Sequence, residues 1–209
     1  MMRRLIALGA LCVCACATAT ASGGINDDFD GPNDIWQITS GTLTRDRGTG
    51  HTDSPVFRMV SAERDFNDVT ISVTLAVDAL QHGPDWSGAH IWVRYQSQYE
   101  LYAISVDRED GTMIIKKKCA GGPDPSNGGT YYNLTDFQPG PVPYGEWQHV
   151  VVTATDQPDG AVRITADRDG HTLEATDHGV GCAPLHGGGV GVRGDNADIR
   201  LSHIGVENR

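Results

Sequence analysis
The chain has 209 residues, and its 27 Asp and Glu outnumber 16 Lys and Arg to give a formal charge of −11 at neutral pH. A surface of that sign opposes nucleic acid and anionic lipid as partners, since both demand clustered cations. Beyond residue 21, no stretch approaches the ~18 to 20 consecutive apolar residues of a transmembrane helix.

The first residues read as an export signal. Arg3 and Arg4 precede an apolar run at 5–13, and Ala17-Thr18-Ala19-Thr20-Ala21 places small residues at cleavage spacing. Removal of residues 1–21 then yields a secreted, extracellular chain. The alternative is a lipoprotein anchored through Cys16, because Val13-Cys14-Ala15-Cys16 loosely resembles a bacterial lipobox. Cys14 is out of character there, so cleavage after Ala21 is preferred. Cys12, Cys14 and Cys16 fall in the leader, which leaves Cys119 and Cys182 to pair in an oxidising compartment. Such a bridge stabilises by about 4 kcal/mol in the chain-entropy model. A metal site is the weaker reading, since neither cysteine has a Cys or His at ligand spacing and His178 and His186 flank Cys182 without a pattern.

Residues 22–209 read as a single all-β domain with no dividing linker. Gly31-Pro32, Gly83-Pro84, Gly121-Gly122-Pro123, Gly128-Gly129 and Gly140-Pro141 punctuate short alternating or β-branched runs. Strands are predicted at 36–45, 56–60, 68–79, 89–96, 100–107, 112–118, 147–156, 161–168, 171–176, 189–193 and 198–206. Asp110-Gly111 and Asp169-Gly170 lie between opposed apolar runs and mark hairpins, because their turns require positive φ. No segment sustains a 3.6-residue apolar stripe. The pattern predicts two packed antiparallel sheets, a jelly-roll sandwich.

One strand carries the functional signal. At a period of two, His90, Trp92, Arg94 and Gln96 share one face, and Ile91, Val93 and Tyr95 take the other. The first face combines an indole, a permanent cation, an amide and an imidazole, the side chains that hold polyhydroxylated ligands by stacking and planar hydrogen bonds. Trp86 sits in Gly83-Pro84-Asp85-Trp86-Ser87-Gly88, whose small neighbours leave its ring a free platform. Trp36 and Trp147, at the starts of β-rich runs, read as core, and Tyr131 and Tyr132 as weaker platforms in a glycine-bounded loop. Lys116-Lys117-Lys118 reads as a solvated edge strand that discourages aggregation.

The run Val142-Pro143-Tyr144-Gly145-Glu146-Trp147-Gln148-His149-Val150 and the following Asp-Gly hairpin resemble the concanavalin A-like, laminin-G-like sandwich family, with its Gly-x-Trp-x-x-Val strand. Gly189-Val190-Gly191-Val192-Arg193-Gly194-Asp195, leading into 197–206, is similar to that family's closing strand pair. The resemblance implies the fold, and a function among lectins, carbohydrate-binding modules, glycoside hydrolases and polysaccharide lyases. A hydrolase needs two facing carboxylates, which the family usually carries as Glu-x-Asp-x-x-Glu. Only Glu63-Arg64-Asp65 starts that spacing, and it reads as a charged loop. A lyase needs a charge neutraliser, a base and an acid, which His90, Arg94 and Gln96 with Tyr99 or Tyr102 could supply. Binding alone requires Trp86, Trp92, Arg94 and Gln96. The resemblance also implies a structural Ca²⁺, for which Asp28, Asp30 and Asp198 are the candidate ligands if the chain ends meet; turn formation accounts for the same residues. The expectation is therefore a secreted sandwich that recognises an extracellular polysaccharide. Catalysis in a concave-sheet groove is the alternative, and a protein-interaction module the third reading.

Overall fold
The computed structural model describes residues 24–53, 55–125 and 128–208; the leader and its cysteines lie outside them. Alternating burial builds two antiparallel sheets. One has the spatial order β14 (His171–Asp177), β13 (Val162–Arg168), β12 (Gln148–Asp156), β6 (Val69–Leu80), β16 (Ala197–Asn208), β4 (Thr49–Thr52), β3 (Leu43–Asp46), with β1 (Ile25–Asp27) also on β16. The other runs β10 (Gly129–Asn133), β9 (Thr112–Ala120), β8 (Glu100–Arg108), β7 (Gly88–Ser97), β15 (Gly189–Asp195), β5 (Val56–Ser61), β2 (Trp36–Ser40), with β11 (Gln138–Pro139) on β9. The architecture is the expected all-β sandwich.

Several boundaries differ from expectation for local reasons. The run predicted at 36–45 breaks at Gly41, whose φ of 74° turns the chain a corner, so β2 and β3 enter opposite sheets. The segment around Tyr131 and Tyr132 is the strand β10 rather than a loop, and it covers β9. Lys116 to Lys118 therefore lie inside a sheet, which corrects their reading as a solvated edge. The Asp169-Gly170 turn has φ of 47° and 90°, the paired positive values a two-residue hairpin requires.

Ile71, Val73 and Leu75 of β6, Val150 and Val152 of β12, and Ile199 and Leu201 of β16 meet Phe57 and Met59 of β5, Ile91 and Val93 of β7, and Ile104 and Val106 of β8 in one core. Buried ion pairs pin its margins. Lys117 Nζ lies 2.7 Å from Asp177, and it also donates to the Cys182 and Ala183 carbonyls at 2.6 and 2.9 Å. Arg168 pairs with Asp107, which also accepts from Gln148 at 3.0 Å. Cys119 and Cys182 form the expected disulfide, tying β9 to the segment after β14 across 63 residues.

Candidate functional site on the outer face of one sheet
The two outer faces differ in chemistry. On the sheet containing β6, the outward residues are small and polar, such as Thr70, Ser72 and Thr74, Thr153 and Thr155, and an exposed Arg163–Glu174 pair at 2.8 Å. That is an ordinary solvated surface. The outer face of the sheet containing β7 instead carries a second apolar cluster, Val60, Trp92, Leu101 and Ala103, with Tyr95 and Tyr131 packed against it.

Strand register sets this face out in rows. Arg58, Arg193, His90 and Ser105 are cross-strand neighbours in one row. Gly191, Trp92, Ala103, Lys116 and Asn133 form the next. The small residues beside Trp92 leave its ring room to lie over the sheet: a Cβ on Gly191 would stand 3.4 Å from the indole and 2.5 Å from the Met59 carbonyl. Lys118 and Tyr131 face each other one row further on.

The expected alternation fails midway along β7. Tyr95 pairs with Gly189 while Trp92 pairs with Gly191, so Val93 and Arg94 together oppose Val190. This is a β-bulge, and Arg94 takes the extra place at φ 52°. Inserting one residue inverts every later side chain. Tyr95 thus joins Trp92 on the outer face, their rings stacked at 5.6 Å and 14°. Arg94 turns inward and is fully buried, donating to Asp156 at 3.0 Å, the Ala154 carbonyl at 3.3 Å and Asp68 at 3.4 Å. Gln96 lies at the strand end, donating to the His186 carbonyl at 3.0 Å. Of the four residues assigned to one face, only His90 and Trp92 share it. Tyr102 is also in the core, where its hydroxyl donates to Asp177 at 2.7 Å and accepts from the Leu185 amide at 3.0 Å. Burial and that carboxylate push its ionisation far upward, so it is a structural hydroxyl and not a proton donor to a groove. The set His90, Arg94, Gln96 and Tyr102 is not assembled.

What is assembled is a groove of about 440 Å³. Trp86, 54% exposed, stands at one side, with Trp92, Tyr131 and Phe137 on its walls. Arg58, Arg108, Lys116, Lys118 and Arg193 also line it, against the carboxylates Asp124 and Asp195. Arg193 pairs with Asp195. Arg108 holds Asp110 at 2.5 Å and lies over the Phe137 ring. Lys116 and Lys118 lie over Tyr131 at 5.2 and 5.1 Å, which corrects any view of them as free surface charges.

Crowding of like charge shows in the titration of this face. Burial, then Arg108 and Arg193, pushes Lys116 down to about 8. Burial, then Arg193 and Arg58, lowers Lys118. His90 is held well below the ordinary histidine range by burial and by Lys116, Arg193 and Arg108, so its imidazole is neutral at pH 7. Its Nδ1 lies 2.9 Å from Ser105 Oγ. The face can therefore stack apolar rings, offer neutral hydrogen bonds at His90, and present cations to a ligand.

Other expectations land elsewhere. Trp36 is core, its Nε1 donating to Asp27 at 2.7 Å. Trp147 is not: it is 43% exposed, with Arg200 lying over its ring at 4.8 Å. A larger hollow of about 660 Å³ between 133–138 and β14 has Asp136 and Glu174 on its walls and no cation. Glu63 and Asp65 lie in the loop between β5 and β6. The calcium set does not form. Asp28 pairs with His203 at 2.7 Å, while Asp198 accepts from Gln81 at 2.9 Å. His203 and Asp198 are five residues apart along β16, a separation of roughly 17 Å at strand rise. Among the described residues, no group of three or more His, Cys, Asp or Glu could hold a metal ion.

Sequence reasoning missed Arg58, Arg108 and Arg193 and misread Lys116 and Lys118 as a solvated edge. A signal was present: Arg58, Lys116, Lys118 and Arg193 all sit at alternate positions to apolar core residues in their strands. No family model and no curated protein matches the chain. Solved structures do. It superposes on carbohydrate-binding module CBM66 from Bacillus subtilis at TM-score 0.62 and 14% identity, over 83% of this chain and 95% of that one. A Bacillus subtilis protein of unknown function with a galectin-like fold gives 0.62 at 12% identity, over 90% and 97%. The exoplasmic domain of VIP36, in a form bound to Ca²⁺ and Man3GlcNAc, gives 0.57 at 10% identity, over 89% and 88%. At these identities the likeness is one of fold, and the fold of this chain is a concanavalin A-like sandwich.

Proposed function
We propose that the chain is a secreted, single-domain protein that recognises an extracellular polysaccharide in the groove on the outer face of the β7 sheet. One observation carries the reading: Trp86 stands exposed beside a groove that Trp92, Tyr131 and Phe137 also line together with His90, Asn133 and Gln98, so flat apolar surfaces and planar polar groups converge in one place. Sugars are held by stacking of their C–H faces on such rings, with fixed polar groups setting orientation. That solved neighbours include a carbohydrate-binding module and a mannose-oligosaccharide complex supports the reading. The laminin-G-like pattern around Gly145 and Trp147 supports the sandwich on which the reading rests, and Trp147 itself lies outside the groove. Recognition is favoured over cleavage because Arg94 and Tyr102 are withdrawn into the core.

Affinity electrophoresis through gels containing a panel of polysaccharides tests this. The wild type should be retarded by at least one polymer. Trp86→Ala and Trp92→Ala should run freely, Trp147→Ala should behave as wild type, and no reducing ends or unsaturated product should accumulate. Free migration of the wild type in every gel, or full retardation of both groove variants, refutes the reading.

A further inference from the structure
Resting on that reading, we propose that the groove takes an anionic saccharide, its carboxylate or sulfate seated between Lys116 and Arg193 while the sugar ring lies against Trp92. The protein is acidic overall, at −11, yet this groove is lined by five Lys and Arg and two Asp. The excess is not chance alternation along one strand, because the cations come from β5, β8, β9 and β15 and the register brings them to one face.

The arrangement is also costly without a ligand. Arg58 and Arg193 sit directly opposite each other on paired strands, a placement that destabilises a sheet when the charges are alike. Of the groove's two carboxylates, Asp195 is taken by Arg193 and Asp124 is exposed to solvent. Lys116 and Lys118 have aromatic faces rather than carboxylates as their near partners. Lys117, between them in sequence, points the other way and is neutralised by Asp177. One lysine in three thus has a buried carboxylate partner, and the two facing the groove do not. Arg193 Nε is buried with no hydrogen-bond partner, which leaves a donor for an incoming oxygen. The neutral His90 beside it adds a hydrogen-bonding group without adding charge.

An acidic sugar satisfies all of these at once. Its anion relieves the repulsion among the cations, and its ring occupies the Trp92 plate. A nucleic acid fits less well, because the charge outside the groove is negative and repels an extended polyphosphate.

Full-length protein should be titrated calorimetrically with polygalacturonate, alginate and hyaluronan as carboxylate polymers, chondroitin sulfate and carrageenan as sulfate polymers, dextran, xylan and glucomannan as neutral ones, and duplex DNA. We expect tight binding to a member of one acidic class. It should weaken at least tenfold when the acid is methyl-esterified or desulfated, and at least tenfold in Lys116→Met and Lys118→Met, whose folding is checked by melting. Trp147→Ala should bind as wild type. Binding only to neutral polymers overturns the anionic assignment and leaves polysaccharide recognition standing. Binding to no glycan overturns both. Equal binding to acidic glycans and DNA, unchanged by Trp92→Ala, identifies plain ion exchange and also overturns both.

Discussion

Lys116→Met removes one of the crowded cations while keeping an unbranched apolar stem, and it should make the protein more stable. Folding pushes Lys116 down from 10.5 to about 8, chiefly by burial and then by Arg108 and Arg193. Below about pH 8 the side chain is charged in both the folded and the unfolded chain, and the whole penalty is present. Between about 8 and 10.5 the folded chain binds fewer protons than the unfolded one, so stability rises with pH across that window. At roughly 1.4 kcal/mol per unit the shift corresponds to about 3 kcal/mol. Because Lys116 keeps some solvent contact, about 1–3 kcal/mol is the working range, or roughly 2–10 °C in Tm for a domain of this size. Urea melts at pH 7 and pH 9.5 check it: the wild type should gain stability at the higher pH, and the variant should start higher at pH 7 and gain less. A variant less stable than wild type at pH 7 would refute the claim that this face is electrostatically strained.

Arg94→Ala should lower stability by about 2–3 kcal/mol, since it removes a fully buried side chain and its packing and leaves the Ala154 carbonyl without its donor, whereas the partly exposed Asp68 and Asp156 keep contact with water; glycan retention by the folded fraction stays intact; calorimetric melting and affinity electrophoresis read the two effects separately. Asp177→Ala should be worse, about 3–5 kcal/mol, because it strands the fully buried Lys117 and the Tyr102 hydroxyl together. Denaturation curves that leave its midpoint unmoved would contradict the pairing. Reduction of Cys119–Cys182 should cost about 4 kcal/mol by freeing a 63-residue separation in the unfolded chain, measured as the shift in urea midpoint with and without reductant.

Much of the sandwich is legible in the sequence because its signals are local. Alternation marks β6, β12, β13 and β14, and Asp-Gly fixes the turn into β14. The site is legible only up to Val93. Counting by twos assumes an unbroken ladder, and the bulge at Arg94 carries no glycine to announce it. The cations were visible but misassigned, since recognising that Lys116 and Lys118 face a groove requires knowing that β10 covers β9. The glycines flanking Tyr131 disguised that strand as a loop. Trp147 erred the other way: a β-rich context implied burial, but β12 begins one residue later at Gln148, and the indole stays outside.

The extra residue in β7 gives the strand a change of phase, so its two halves answer to opposite rules. Deleting any single position close to residue 94 would restore uninterrupted pleating and exchange the sides of everything downstream, hiding the Tyr95 ring and lifting its successor into the aromatic row. Length variation at this spot therefore changes the chemistry of this outer face in one step, without a substitution anywhere in it and with the remaining ladders left in place.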